Sequence, residues 1–329
     1  MPLAVAMKPQ GLLLAIACAL AVPDATAAPS DVTLIFAGDI MLDTLPGQVI
    51  ARGEDPLANF ALLLAGADLA IGNLECSVAT SGTPEDKRFT FRAEPRVLPV
   101  VARHFAALGL ANNHSGDFGK AALSETMAHL RENSLSFFGA GENLAAAHEP
   151  LILEKNGLKI ALLAYDEFKP RAFEAGTDSP GVAWSEDEQV LYDIHRAREL
   201  GADLVFPFMH WGWEGEPGPC PRQQKLAHWM IDAGADAVIG GHPHVTQGVE
   251  SYRGKIIIYS LGNFVFDGFY EDATRTGWLV RLSVSKHGVT RWDTVVAKLD
   301  EQGSPVPALD AESPCGQGRE IFACRAGKR

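Results

Sequence analysis

A mixed α/β fold is what this sequence predicts, and three observations carry the prediction. Short runs rich in Val, Ile and Leu alternate with stretches of helical periodicity, the pattern of strands and helices layered on one another. Late segments 278–284 and 292–299 alternate apolar with polar residues, as half-buried antiparallel strands do. The chain has 329 residues and 47% hydrophobic side chains, enough to bury a sizeable core in one large unit or two.

Taken in order, the first element is an address label rather than part of the fold. Met7-Lys8 precedes an apolar run over 11–22, followed by Pro23 and Ala25-Thr26-Ala27. A basic start, a short apolar run and an A-x-A site predict a secretory signal peptide over residues 1–27. The run falls short of the about 20 apolar residues that a membrane span needs. Translation from Met7 would leave the same mature chain. The protein is therefore expected to be exported, to the periplasm or cell envelope. Cys18 offers a lipoprotein form, although Ala15-Ile16-Ala17-Cys18 lacks the usual Leu three residues before the cysteine.

Beyond the leader, strands are expected at 32–37, 68–71, 108–111, 135–138, 159–165, 203–209, 237–239 and 255–259. Helices fit at 49–64, 96–107, 120–132, 186–200 and 221–233, the last with Pro221 in a first turn that needs no donor. Gly/Pro-rich patches at 81–85, 175–181 and 215–221 read as loops. One domain over residues 31–300 is the economical division, and 301–329 is expected to be a weakly packed C-terminal tail.

An oxidising compartment permits disulfides. Cys315 and Cys324 are close enough in sequence for a local bridge, and a Cys76–Cys220 bridge is a further option; four cysteines allow three pairings. No CxxC or Cys/His cluster suggests a thiolate zinc site.

Charge narrows the partners. The 28 Lys+Arg stand against 41 Asp+Glu, a formal net charge of −13, and the isoelectric point is about 5.2 with mean hydropathy +0.02. A nucleic-acid partner is excluded, since phosphate contacts need a basic face. An anionic polymer would need a local basic patch or a bound cation.

Five of the expected strands run straight into a metal-capable residue. The first leads to Asp39, the second to Gly72-Asn73-Leu74-Glu75, the third to Asn112-Asn113-His114, the sixth to His210-Trp211-Gly212, and the seventh to Gly240-Gly241-His242-Pro243-His244. In open α/β sheets the loops beyond the carboxyl ends of the strands gather into the ligand crevice. Each residue alone has an ordinary alternative: Asp39 as a cap, Glu75 as a solvated carboxylate, the Asn pair as a turn, His210 as a packed imidazole. Five together predict a metal-binding cleft. Imidazole and carboxylate in one site suit Mn, Zn or Fe, here one or two divalent ions per chain, which would activate a water and stabilise an oxyanion.

The segments Phe36-Ala37-Gly38-Asp39-Ile40-Met41, Gly72-Asn73-Leu74-Glu75, Leu110-Ala111-Asn112-Asn113-His114, His210-Trp211-Gly212-Trp213-Glu214, Gly241-His242-Pro243-His244-Val245 and Tyr259-Ser260-Leu261-Gly262-Asn263-Phe264 resemble the poly-γ-glutamate capsule synthesis (CapA) family, which is similar to calcineurin-like metallophosphatases. The resemblance implies a metallophosphatase-like two-sheet β-sandwich flanked by helices, with four α/β/β/α layers. Carried over by position, it implies Asp39, Glu75, Asn113, His210, His242 and His244 as metal ligands, with His114 as the acid or oxyanion-stabilising group. Met41 departs from the phosphatase pattern, which wants a histidine there, and a thioether is a poor substitute for a hard or borderline ion.

Glu214 is a second catalytic candidate, as an acid/base or as an orienter of an imidazole. Arg92 and Lys87 are candidates to meet an anionic substrate, Arg92 because its planar fork grips carboxylate or phosphate bidentately. Two functions are then in view. One is a metal-dependent hydrolase cutting a phosphoester or a γ-glutamyl amide; the other is a non-catalytic envelope factor that holds an anionic polymer beside membrane-bound capsule synthesis machinery.

Overall fold

The computed structural model describes residues 1–4, 31–168 and 171–326; most of the expected signal peptide, Cys18 included, lies outside them. Two sheets face each other. The larger runs, edge to edge, Glu320–Arg325, Glu312–Gln317, Gly288–Leu299, Thr276–Ser285, Val32–Ile40, Leu69–Leu74, Ala107–Gly109 and Ser136–Phe138, with Asn263–Val265 and Pro305–Pro307 attached beside this path. The smaller runs Thr246–Tyr252, Lys255–Leu261, Ala237–Gly241, Leu204–His210, Leu158–Asp166 and Leu151–Lys155.

Strand periodicity explains the layering. Along Leu204–His210, Leu204, Phe206 and Phe208 enter a core shared with the larger sheet, while Val205 and Met209 enter a second core, because successive side chains point to opposite faces. The shared core is where the sheets meet: the Phe36 ring lies 5.9 Å from that of Phe206 and 6.0 Å from that of Phe208. The second core is closed by helices Asp187–Glu199 and Pro221–Asp232, which contribute Val190, Ile194, Leu226, Ala227 and Met230. Helix Lys120–Glu132 brings Leu123, Met127 and Leu130 to the first core. The expected α/β sandwich flanked by helices is the fold observed.

Four expectations need correction. The helix expected at 49–64 is two pieces, Thr44–Ala51 and Ala61–Ala65, joined through a 3-10 turn at Ala58–Phe60; Gly53 takes a left-handed φ of +83° and Pro56 follows, which ends the first piece. The helix expected at 96–107 shrinks to a 3-10 turn and the short helix Leu98–Val101. Residues beyond 300 are not loosely packed: Pro305–Pro307, Glu312–Gln317 and Glu320–Arg325 extend the larger sheet. Cys315 and Cys324 are bridged across that hairpin, whereas Cys76 and Cys220 are both free, so the bridge between them does not form.

The topology explains why distant residues meet. Val32–Ile40 and Leu69–Leu74 run parallel in the larger sheet, and Leu158–Asp166, Leu204–His210 and Ala237–Gly241 run parallel in the smaller. Their carboxyl ends open onto one edge of the sandwich.

Candidate metal centre

The edge holds a cluster buried almost completely: Asp39, Glu75 and His242 are 0% exposed and His210 2%. Glycines make the approach possible. A Cβ on Gly241 would sit 2.6 Å from Asp39 Oδ1, so only Gly lets the Ala237–Gly241 strand lie against the carboxylate. The backbone amide of His242 donates to Asp39 Oδ2 at 3.1 Å, and Asn73 Nδ2 donates to Oδ1 at 2.9 Å. His242 and His244 stand in the left-handed region, φ +91° and +56°, a strained turn that holds both imidazoles on one side of the loop and is characteristic of functional sites.

The remaining distances bind the cluster together. His210 Nε2 lies 2.8 Å from Asn113 Oδ1, 3.1 Å from His242 Nδ1 and 3.6 Å from Glu75 Oε1. His244 Nδ1 is 3.6 Å from Asp39 Oδ2, and its Nε2 is 3.7 Å from Glu75 Oε1. Potential ligand atoms of Asp39, Glu75 and His210 lie within 4.8 Å of one another, as do those of Glu214, His242 and His244. All six expected ligands are thus brought together, with exposed Glu214 at the rim beside the His242-Pro243-His244 turn.

A cation fits these residues. Both carboxylate oxygens of Glu75 and the Nε2 of His242 are buried with no hydrogen-bond partner; leaving such groups unpaired costs about 1–3 kcal/mol each. Burial pushes the Glu75 carboxyl well above the usual carboxylate range, and the neighbouring Asp39 carboxylate adds to the rise. Burial also raises Asp39, against the pull of His244 and its hydrogen bonds. His210 and His242 are driven far below the usual imidazole range by burial and by the other histidines. Neutral imidazoles beside carboxylates that lack a counter-charge form a donor set for a divalent ion.

Around the ligands lies a layer that sequence reasoning missed. Asn73 joins Asp39 to His210, its Nδ2 lying 3.3 Å from His210 Nδ1. Asn112 in turn donates to Asn73 Oδ1 at 2.9 Å and to Leu74 O at 2.8 Å. Asn263 Oδ1 meets His244 Nδ1 at 2.8 Å. These amides fix ring orientation, as outer partners of metal-ligating histidines do. Asn73, Asn112 and Asn263 all stood inside the recognised motifs, and their amides were the available signal. Asp117, fully buried, meets His114 Nδ1 at 2.7 Å and accepts the Phe91 amide at 2.7 Å; it had no sequence signal beyond its nearness to His114.

The other candidates fall at the margins. Lys87 pairs with Asp117, donates to Asn113 O at 2.7 Å and lies 3.4 Å from His114 Nδ1, so it borders the cluster. Burial lowers the His114 imidazole, against Asp117, which raises it. Arg92 instead donates to the carbonyls of Ser81 and Gly82 at 3.1 and 3.4 Å and stacks over Phe118 at 4.3 Å, which holds its head on that loop. Met41 is fully buried, its thioether accepting the Asp43 amide at 3.1 Å.

Fold and site together define a two-sheet α/β protein with a buried carboxylate, amide and imidazole centre at the carboxyl ends of its parallel strands. Residues 33–268 match the model of the bacterial capsule synthesis protein family PGA_cap, and the chain belongs to that family. It is 33% identical over 278 residues to the PGA biosynthesis protein CapA of Bacillus subtilis (strain 168), covering 83% of this chain and 72% of that one. Among solved structures, a hypothetical protein from Thermus thermophilus shares the fold at TM-score 0.53 and 15% identity, over 81% of this chain and 99% of that one. A 5'-nucleotidase from Candida albicans SC5314 aligns at TM-score 0.46 and 10% identity, over 83% of this chain and 52% of its own.

Proposed function

We propose that this chain is an exported, divalent-metal-dependent hydrolase serving capsule or poly-γ-glutamate synthesis, acting on an amide such as a γ-glutamyl link or on a phosphoester. The observation that carries the reading is the unpartnered, buried Glu75 carboxylate facing His210 and His244 beside Asp39. The relative named for PGA biosynthesis supports the biological setting, and the Cys315–Cys324 bridge supports an oxidising compartment. No helix among the described residues is long and apolar enough to cross a membrane.

Asp39, Glu75, Asn113, His210, His242 and His244 would hold one or two ions, Mn, Zn or Fe by donor type. A bound ion there would supply Lewis acidity and lower the pKa of a water. The chain's own groups do the rest. Asn73 and Asn263 hold the imidazoles, the rings of Phe266 and Phe269 lie 5.1 and 5.0 Å from that of His244 and help keep the cleft dry, and Asp117 fixes His114 through Nδ1, leaving Nε2 to exchange a proton with a leaving group. Lys87 supplies a cation for the anionic side of a substrate.

The test is elemental analysis of the purified mature protein, paired with turnover of a phosphoester panel and of poly-γ-glutamate. About one or two ions per chain are expected, with both metal and turnover lost in His242→Ala. A chain that stays metal-free after incubation with Mn and Zn overturns the reading. Met41, buried where the phosphatase pattern wants a ligand, favours a second reading, a non-catalytic factor holding an anionic polymer. Polymer binding that survives replacement of Asp39 and Glu75, without turnover, would select it.

A further inference from the structure

Beside the cluster runs a groove of about 360 Å³ lined by Glu167, Phe168, Gly212, Trp213, Cys220 and Arg222. It is built onto the metal centre. The Phe168 ring lies 4.5 Å from that of His242, and the Glu167 amide donates to His210 O at 2.9 Å. On the other wall, Gly215 N donates to Pro243 O at 2.8 Å, which ties the Trp213 loop to the ligand turn.

Trp213 is the unexplained feature. Its neighbour Trp211 is fully buried, with Nε1 donating to Tyr259 O at 2.8 Å. Gly212 then turns the chain at φ +86°, where a Cβ would press on the Gln223 amide at 2.8 Å, and Trp213 emerges 66% exposed. A large indole held in water by a pinned loop offers a ring face to a ligand.

The charges select the ligand. Among the described residues at the groove, Arg222 is occupied by two carboxylates, Glu167 Oε1 at 2.7 Å and Asp187 Oδ1 at 2.6 Å, so its positive charge is more than offset. Glu214, within 4.8 Å of ligand nitrogens of His242 and His244, adds another negative charge at the junction with the cluster. Two aromatic faces ringed by excess carboxylate suit an organic cation. Across the cluster, Lys87 borders Asn113 and His114 with its charge offset by the buried Asp117 carboxylate.

We infer that the Phe168–Trp213 groove is a subsite for a protonated amine. Resting on the hydrolase reading, this narrows its substrates to amides and to phosphoesters whose alcohol carries an amine. Hydrolysis of an amide adds water across the C–N bond; the acyl carbon takes the oxygen and leaves as a carboxylate, and the nitrogen takes a proton and leaves as an ammonium. A phosphoester releases such a cation only where its alcohol already carries an amine.

The test uses two five-carbon probes of opposite charge, 1,5-diaminopentane and glutarate, titrated against the tryptophan fluorescence of the full chain, as purified and after chelation of metal. The diamine should give a saturable change that glutarate does not. Trp213→Phe should remove most of that signal, and Glu167→Gln should weaken diamine affinity by about tenfold, the loss expected of one charged contact. Glutarate binding as well as the diamine, saturation by neither, or diamine affinity unaltered in both Glu167→Gln and Trp213→Ala would overturn the proposal. Folding of each variant is read from its far-ultraviolet circular dichroism. Metal uptake is read separately, so a chain that binds diamine yet stays metal-free after incubation with Mn and Zn sinks the hydrolase reading alone, and a metal-loaded, active chain blind to the diamine sinks the subsite alone.

Discussion

His114 Nδ1 lies 2.7 Å from Asp117 Oδ2, and the other oxygen of the same carboxylate pairs with Lys87. One buried carboxylate therefore both orients the imidazole and anchors the cation at the cleft edge. Asp117→Asn keeps the shape but removes the charge, leaving Lys87 without its counter-ion and one amide hydrogen facing a donor. Stability should fall by about 1–3 kcal/mol, the usual cost of spoiling a buried polar partner. His114→Ala removes the ring and leaves the Lys87–Asp117 pair, so it should melt nearer to wild type while losing turnover by a larger factor. Urea unfolding and initial rates measured on the same two variants check the pattern; equal stability loss in both would show that Asp117 does not hold Lys87.

Glu75 sets function against stability. With burial and Asp39 both raising its carboxyl, the metal-free protein pays for the glutamate in the folded state. The sign follows from linkage: a carboxyl whose folded pKa is raised costs nothing below its unfolded value near 4.3, and costs more as pH climbs from there toward the folded value. Glu75→Gln removes that cost. The metal-free variant should be more stable than the metal-free wild type at pH 8 by about 1–3 kcal/mol, and the gap should narrow toward pH 5. Adding Mn or Zn should reverse the order, because an ion that binds the native state at 100 times its Kd adds about 2.7 kcal/mol, and the amide holds it poorly. Melting curves of both proteins at two pH values, with and without metal, decide this; a gap independent of pH would rule out the Glu75 carboxyl as its source.

The cleft was legible because strand ends are a topological fact. Asp39, Glu75, Asn113, His210, His242 and His244 each follow an apolar run, and parallel strands of facing sheets deliver their carboxyl ends to one edge. The amides behind them were harder to see. An Asn beside a Gly reads equally well as a turn, and it is the folded chain that sets Asn73 between Asp39 and His210. Arg92 shows the converse: its type suited an anion, yet its guanidinium is taken by the Ser81 and Gly82 carbonyls. A helix end failed where Gly53, in the left-handed region, interrupts apolar periodicity that would otherwise have continued. The C-terminal residues misled for another reason. Their Gly, Pro and charge content describes edge strands as well as it describes loops, since edges use such residues to discourage further pairing.

That C-terminal hairpin yields the last prediction. Cys315 and Cys324 are bridged with Cα atoms 5.9 Å apart, on strands Glu312–Gln317 and Glu320–Arg325 that pair with each other, while Trp292 of the neighbouring strand pairs with Gly316. A bridge closing a loop this short removes about 2–3 kcal/mol of chain entropy from the unfolded state in the simplest treatment. Two strands separate the hairpin from Val32–Ile40, which carries Asp39. Replacing both cysteines by Ser should therefore lower stability by about 1–3 kcal/mol and leave metal content unchanged. Oxidised wild type and the double variant, compared by urea unfolding and elemental analysis, test both halves. Loss of metal in the double variant would mean that the hairpin reaches the cleft through the sheet, because strands this tightly packed shift together when one edge is released.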